Sequence, residues 1–486
     1  MGGIWWRGKR SRKITKRIVV EGELILQTPA CFGKGDTDDL VDMPLLVDPL
    51  DGITPLLSGA SIAGALRGYL TAREHGYRKE AGADSASTLL FGAQKKDSEE
   101  EGEQSPLIID DALGKSPGIE YRHSVAIDPQ SGTARGQQLF DLALWQAGTT
   151  FPLRFELVIC EKDDEEVLKI ALATALEGFN NGGITLGARK SRGFGRLSAP
   201  HWRAKVYDLT TAKGLLGWIT QGDSPVSAET KGIKETLGVK ETLPDKRCFF
   251  SLDLTCSLNG SLLVRSGSGK DECSPDMAYL SAKQSDGTTA PVLSGTSAAG
   301  TLRARAFKIA KTFSNGTCAA ALIGEMFGPE MGQSTEPVAS RLVVDETAIK
   351  NGETNLVQNR ICIDRFTGGA LETALFNQQP VFGNDETELN IKIQLQHPKN
   401  HEIGLLLLLL KDIWTSDLPF GGERGIGRGR LKGKIAKLKL VNKKDSFSCT
   451  LTAGDNSKLV IDQEDHYSTL EKYAADFYKR AKEGAG

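Results

Sequence analysis

The chain has 486 residues, room for two to four domains at about 100 to 200 residues each. Apolar residues make up 39% and charged residues 25%, with 60 Lys and Arg against 62 Asp and Glu, which excludes a disordered chain and a global polycation. Eight cysteines stand singly, at 31, 160, 248, 256, 273, 318, 362 and 449, with no CxxC pair or Cys/His block at zinc spacing, so reduced thiols in a cytoplasmic protein are expected.

The first 17 residues carry seven Lys or Arg and no acid, but no apolar core follows, and residues 1–18 read as a basic arm rather than a secretory signal. Arg17 to Leu26 reads as a strand and leads into an acidic loop holding Asp36, Asp38, Asp39 and Asp42. A helix follows with Ile62, Leu66, Tyr69 and Leu70 on one face and Ser61 where an N-cap belongs. Lys95 to Gln104 reads as a solvated acidic loop. Phe151, Leu153, Phe155, Leu157 and Ile159 alternate as in a half-buried strand, followed by an apolar helix, a Gly-rich basic loop at 187–196 and a closing strand.

From about Tyr207 to Arg247 the composition turns to Gly, Ser, Thr and charge, the mark of a linker with a helical piece. The order then repeats. Phe250, Leu252, Leu254, Cys256 and Leu258 alternate; Asp271, Glu272 and Asp276 form a second acidic loop; Ser297 opens a helix through Ala299, Leu302, Ala306, Ile309 and Phe313. Leu389, Ile391, Ile393 and Leu395 alternate before Ile403 to Leu410, the longest apolar run, which falls far short of the ~20 residues that span a bilayer. A second Gly-rich loop, 421–434, precedes a strand, and Tyr467 to Lys482 is amphipathic.

The repetition is literal in places. Leu57 to Arg67 recurs as Leu293 to Arg303, Phe91-Gly92 as Phe327-Gly328, and Ile127-Asp128 through Leu139-Phe140 as Ile363-Asp364 through Leu375-Phe376, each offset by 236 residues. Gly193 to Arg196 matches Gly425 to Arg428 at 232. The order of elements predicts an α+β fold: two tandem ferredoxin-like, or RNA-recognition-motif-like, domains with large insertions, at 19–205 and 249–440. A linker spans 206–248 and a tail with a helix 441–486.

Two motif pairs point to RNA phosphates. At each helix start, Ser58, Gly59, Ser61 and Arg67, then Ser294, Gly295, Ser297 and Arg303, combine unpaired N–H groups with glycines that let a phosphate approach; an ordinary capped helix is the alternative. The basic loops offer Arg189, Lys190, Arg192 and Arg196, and Arg424 and Arg428, on flexible backbone suited to a phosphate chain, against the alternative of a solvated basic turn. Both loops lead into strands, contrary to the dinucleotide-binding arrangement. Carboxylates gathered on the acidic loops can hold a hard divalent cation or be plainly solvated; Asp42 and Asp276 recur in context, each followed by Met. The six histidines form no HxH, HExxH or HD cluster.

These residues resemble the RAMP superfamily of CRISPR proteins, above all in the Gly-rich loops, the Ser-Gly-x-Ser-x-x-Gly-x-Leu-Arg helix starts and the stretch Asp364 to Phe376. Two copies on one chain are similar to the fused backbone subunit of type III-D-like effector complexes. The resemblance implies a palm that binds CRISPR guide RNA, thumb hairpins at about 128–147 and 364–380, and other type III effector subunits as partners, with no membrane. It implies catalytic and metal-binding roles for Asp42, in Val41-Asp42-Met43-Pro44, and for Asp276, where Ala278 replaces the Pro, with Mg2+ or Mn2+ serving cleavage of target RNA. A non-catalytic guide-RNA scaffold and a histidine-dependent RNA-processing endonuclease of the same superfamily stand as alternatives.

Overall fold

The computed structural model describes residues 13–35, 43–93, 104–128, 133–221, 232–266, 275–329, 338–442, 446–454, 459–463 and 465–483. Strand β1 (Ile14–Leu26) buries Ile18, Val20, Leu24 and Leu26 on one face, as a period of two requires. Helices α1 (Gly59–His75) and α2 (Ala86–Phe91) lead to β2 (Leu107–Ile109), a hairpin of β3 (Ile119–Ile127) and β4 (Ala134–Trp145), then β5 (Thr150–Cys160), α3 (Glu165–Glu177) and β6 (Trp202–Asp208). The strands lie in the order β2–β5–β1–β6, every neighbour antiparallel, which is the split β-α-β of a ferredoxin-like sandwich. Ile62, Leu66 and Leu70 of α1 and Leu168, Leu172 and Leu176 of α3 share one core with the sheet.

The described parts of the segment expected to be a linker carry more than one helical piece. β6 runs to Asp208, α4 (Ala212–Thr220) follows it, and α5 (Ile233–Leu237) buries Ile233 and Leu237 in the first core. Arg73 of α1 secures what comes next: its Nε donates to the Leu243 carbonyl at 3.0 Å, and its own carbonyl accepts from the Lys246 N–H at 2.8 Å.

The second copy repeats the plan with β7 (Phe249–Asn259), α6 (Gly295–Phe313), α7 (Gly316–Phe327), β8 (Leu342–Val344), a hairpin of β9 (Gln358–Ile363) and β10 (Ala370–Gln379), β11 (Glu388–Gln396), α8 (Asn400–Trp414) and β12 (Arg430–Val441). Its order is β8–β11–β7–β12, again antiparallel. The tail joins this domain: α9 (Asp465–Glu483) packs on α8 and contributes Tyr473 and Phe477 to the second core. Gly404 of α8 makes the crossing possible, because a Cβ there would lie 2.7 Å from the Tyr473 carbonyl carbon.

Two local expectations change. The thumb spans read from sequence begin at the hairpin turns and omit the outgoing strands β3 and β9. The helix caps are Ser58 and Ser294, three residues before Ser61 and Ser297, whose N–H groups donate to the cap hydroxyls at 3.3 Å.

Candidate nucleic-acid interface

Each Gly-rich loop folds as one turn of 3-10 helix, Lys190–Arg192 and Arg424–Ile426. Left-handed residues bracket both turns, Arg189 at φ 54° and Gly193 at 86° in the first, Glu423 at 59° and Gly427 at 89° in the second. Gly193 therefore corresponds to Gly427, an offset of 234 residues rather than the 232 of the sequence match. In the corrected register Arg192 corresponds to Ile426, Phe194 to Arg428 and Arg196 to Arg430. This explains Arg428, which is 3% exposed as Phe194 is 2%. Its Nη2 donates to Gln358 Oε1 at 2.7 Å, and its Nη1, buried without a hydrogen bond, pairs in charge with Glu423 at 3.2 Å, so Arg428 is a buried cation held within the domain; Arg424 and Arg430 stay exposed.

The first turn lies between the domains. It packs on α6 and β8, so closely that a Cβ on Gly295 would strike the Arg192 carbonyl and sit 2.6 Å from that of Val344. Arg196 reaches across to Asp345 at 2.6 Å, and Arg122 of β3 grips Glu346 through two nitrogens at 2.8 and 2.9 Å while also binding Glu120. Among the described residues Arg192 has no such partner. Its Nη1 is buried without a hydrogen bond, and burial followed by the charges of Arg303 and Arg189 lowers its pKa. Arg189 stacks over Phe140 of the thumb with its guanidinium carbon 4.3 Å from the ring centroid, and Lys190 is exposed beside it. Like charges gathered around a half-buried guanidinium with one sealed, unsatisfied nitrogen are the electrostatic complement of an anion.

The helix starts are less open than their motif suggests. The Gly59 N–H donates to Asp111 Oδ1 at 2.7 Å, so a carboxylate already holds the α1 terminus, while the backbone of Arg192 covers Gly295. Arg67 donates to the Gly92 carbonyl at 2.9 Å and ties α1 to the end of α2.

Asp42 lies outside the described residues, as do Asp36, Asp38, Asp39, Asp271 and Glu272. Met43 pairs in parallel with Leu142 of β4, and Met277 likewise with Gln378 of β10, so each of these methionines lies at a thumb base. Asp276 is exposed there. Its Oδ2 accepts from the Asn377 N–H at 2.8 Å, and its own N–H donates to Asn377 Oδ1 at 2.7 Å. A single carboxylate suits a cation that keeps most of its water and shares a phosphate. The triads of ligating side chains among the described residues, Cys449–Asp462–His466 and Glu325–His401–Glu402, do not include Asp276.

Sequence reasoning missed two groups on the thumbs. Opposite one another on β3 and β4, His123 Nδ1 and Asp141 Oδ1 lie 2.6 Å apart, where the second thumb has Asn359 and Asn377. Cross-strand register brings them together, and no sequence spacing encodes it. At the second thumb tip the N–H groups of Phe366 and Thr367 donate to Asp364 Oδ1 at 2.7 and 2.9 Å, holding that carboxyl below its ordinary range. The turn presents Phe366, 85% exposed, as a face on which a base can stack.

Two ferredoxin-like sandwiches on one chain, each with a hairpin and a Gly-rich basic turn, define a tandem protein of the RNA-recognition type. The RAMP superfamily model matches residues 24–198 and 255–432, and the chain belongs to that superfamily. Membership makes it a CRISPR-associated RNA-binding protein, in a group that includes some RNA endonucleases. No curated protein matches the chain. Among the described residues, no helix is long and apolar enough to cross a membrane.

Proposed function

We propose that the chain is a cytoplasmic, guide-RNA-binding backbone subunit of a type III CRISPR effector complex, working beside other type III subunits, and that it cleaves complementary target RNA at the two thumb bases. The observation that carries the RNA-binding part is Arg192 at the foot of the first thumb, half-buried beside Arg189 and Arg303, with its Nη1 sealed from solvent and without a hydrogen bond among the described residues. A guide phosphate there would satisfy the orphaned Nη1, and the flanking basic groups would follow the backbone without reading sequence. Base pairing between guide and target would supply the sequence choice.

Cleavage follows the chemistry of RNA itself. The target 2'-oxygen bonds to the neighbouring phosphorus while the bond to the 5'-oxygen breaks; the 2'-hydroxyl proton leaves to a base and the 5'-oxygen gains one, giving a cyclic phosphate and a 5'-hydroxyl. Asp276, and Asp42 by its equivalent sequence context, would hold Mg2+ or Mn2+, which when bound would supply charge stabilisation at the phosphate. Asp276 is kept in place by Asn377, and the thumb would hold the target nucleotide out of the stack beside it. The His123–Asp141 pair favours a second reading for the first thumb base, histidine-dependent cleavage: with Nδ1–H held by Asp141, Nε2 is presented as the base.

RNA titrations at a series of salt concentrations test the binding. Arg189→Ala, Arg192→Ala and Arg303→Ala should each weaken binding of unrelated single strands alike, and each lost contact should flatten the slope of log K against log salt by about 0.7. An unchanged slope in all three variants refutes the assignment.

A further inference from the structure

We infer that the C-terminal tail binds one Zn2+ through Cys449, Asp462 and His466, three side chains that meet where its hairpin joins α9. Beyond β12 the tail forms β13 (Phe447–Ala453) and β14 (Leu459–Ile461), which pair antiparallel, and then α9. Cys449 stands on β13, Asp462 directly after β14 and His466 in the first turn of α9, and one ligand atom of each lies within 4.8 Å of the others. Two strands and a helix, with a sulfur on the first strand and an imidazole on the helix, are the plan of a small zinc module. The spacing Cys-x12-Asp-x3-His agrees, because it sets the last two ligands four residues apart, one turn of helix.

Distances separate this site from an ordinary ion pair. His466 Nδ1 lies 3.6 Å from Asp462 Oδ1, too far for a good hydrogen bond. Two ligands at about 2.0–2.2 Å from a tetrahedral zinc ion are about 3.4 Å apart, close to that separation. Nδ1 is buried and has no hydrogen-bond partner among the described residues, and a cation between it and Oδ1 would satisfy both. Asp462 is already aimed. Its Oδ2 accepts from the Thr450 N–H at 2.8 Å and its own N–H donates to the Thr450 carbonyl at 3.0 Å, which fixes the carboxylate next to Cys449 and leaves Oδ1 for a ligand bond.

Cys449 is 1% exposed while Asp462 keeps 37% of its side chain exposed, so protein walls the sulfur side and water reaches the other. A water molecule would complete four ligands from there. Thiolate, imidazole and carboxylate together select zinc over the hard cations Mg2+ and Ca2+. The thiol proton passes to solvent as the sulfur–zinc bond forms. The ion would pin the hairpin to α9, whose Tyr473 and Phe477 complete the second core. The other triad is already committed: Glu402 is fully buried, binds Arg341 and accepts from the Lys399 N–H, and Glu325 pairs with Lys399.

Cobalt substitutes for zinc in such a site and reports a bound thiolate by a charge-transfer band in the near ultraviolet. The full chain, stripped with EDTA and free of RNA, should develop this band on titration with Co2+, and one equivalent of Zn2+ should abolish it. Cys449→Ser should remove the band, whereas Cys362→Ser, at an exposed cysteine of the second thumb, should keep it. Asp462→Asn retains an oxygen for the Thr450 N–H, and His466→Gln retains a polar side chain. Each should weaken Zn2+ binding, measured against a chromophoric chelator, by at least about tenfold, the cost of losing even an outer-sphere partner. A wild-type chain without the band, a band that survives in Cys449→Ser, or Zn2+ affinity unchanged in Asp462→Asn and His466→Gln overturns the inference. The band requires sulfur, which neither Asp42 nor Asp276 can supply, so its outcome is separate from that of target cleavage.

Discussion

Removing Arg122 should damage the junction between the domains more than any surface change. The guanidinium is 5% exposed and its partners Glu346 and Glu120 are 6% and 12% exposed, so solvent screens little of what is lost. Arg122→Ala leaves two carboxylates facing each other without a counter-charge, and breaking a buried pair in this way costs about 3–5 kcal/mol. At about 2 °C per kcal/mol for a unit of this size, the melting transition should fall by about 6–10 °C. The loss should depend on pH. Burial already raises the Glu120 pKa above its ordinary 4.5, Arg122 pulls it down and Glu346 pushes it up, so removing Arg122 raises it further. A carboxyl raised in the folded state contributes stability below its ordinary value and loses it as pH climbs through the raised one. Calorimetry at pH 5 and pH 8 should therefore show the larger deficit at pH 8, and Glu346→Gln in the Arg122→Ala background should recover part of it. Equal deficits at both pH values, or a fall under about 2 °C, would refute the reasoning.

Asp276→Ala and Asp42→Ala should each erase one of two metal-dependent cuts, read as mapped ends of a labelled target in the assembled complex. For Asp276→Ala, exposed as that residue is, folding stability should move by no more than about 0.5 kcal/mol. Cleavage at the first thumb base that persists in EDTA and disappears in His123→Ala would instead support the histidine-dependent reading. Gly193→Ala should destabilise the chain by about 1–3 kcal/mol, because it combines a left-handed backbone with a collision at Asp345 and Glu346; Gly427→Ala, with open space around it, should cost only about 1 kcal/mol, measured by the same melts.

The duplication and the palm strands were legible because they rest on literal repetition and period-2 burial, both properties of the chain alone. Ser58 and Ser61 each satisfy the local pattern for a cap, and only backbone geometry selects Ser58. The Gly-rich turns slipped by two residues because Gly-x-Gly-Arg recurs within 421–430, so a sequence match has several registers to choose from; left-handed Arg189 and Glu423 remove the ambiguity. The correction matters most at Arg428, which reads as a surface cation in one register and as the counterpart of a buried Phe in the other. Arg122–Glu346, His123–Asp141 and the folding of residues 232–247 onto the first domain join residues far apart in sequence or across a hairpin. No local pattern announces them.

The junction between the domains holds Arg192 against Arg303, a repulsion that two separate molecules would meet as a barrier to association. Domains on one tether face each other at an effective concentration of about millimolar, whatever the quality of their contact. Covalent continuity thus frees this junction from having to be self-adhesive, and its charge can be set by what it must hold. The turn that closes the second domain carries isoleucine at the position of Arg192.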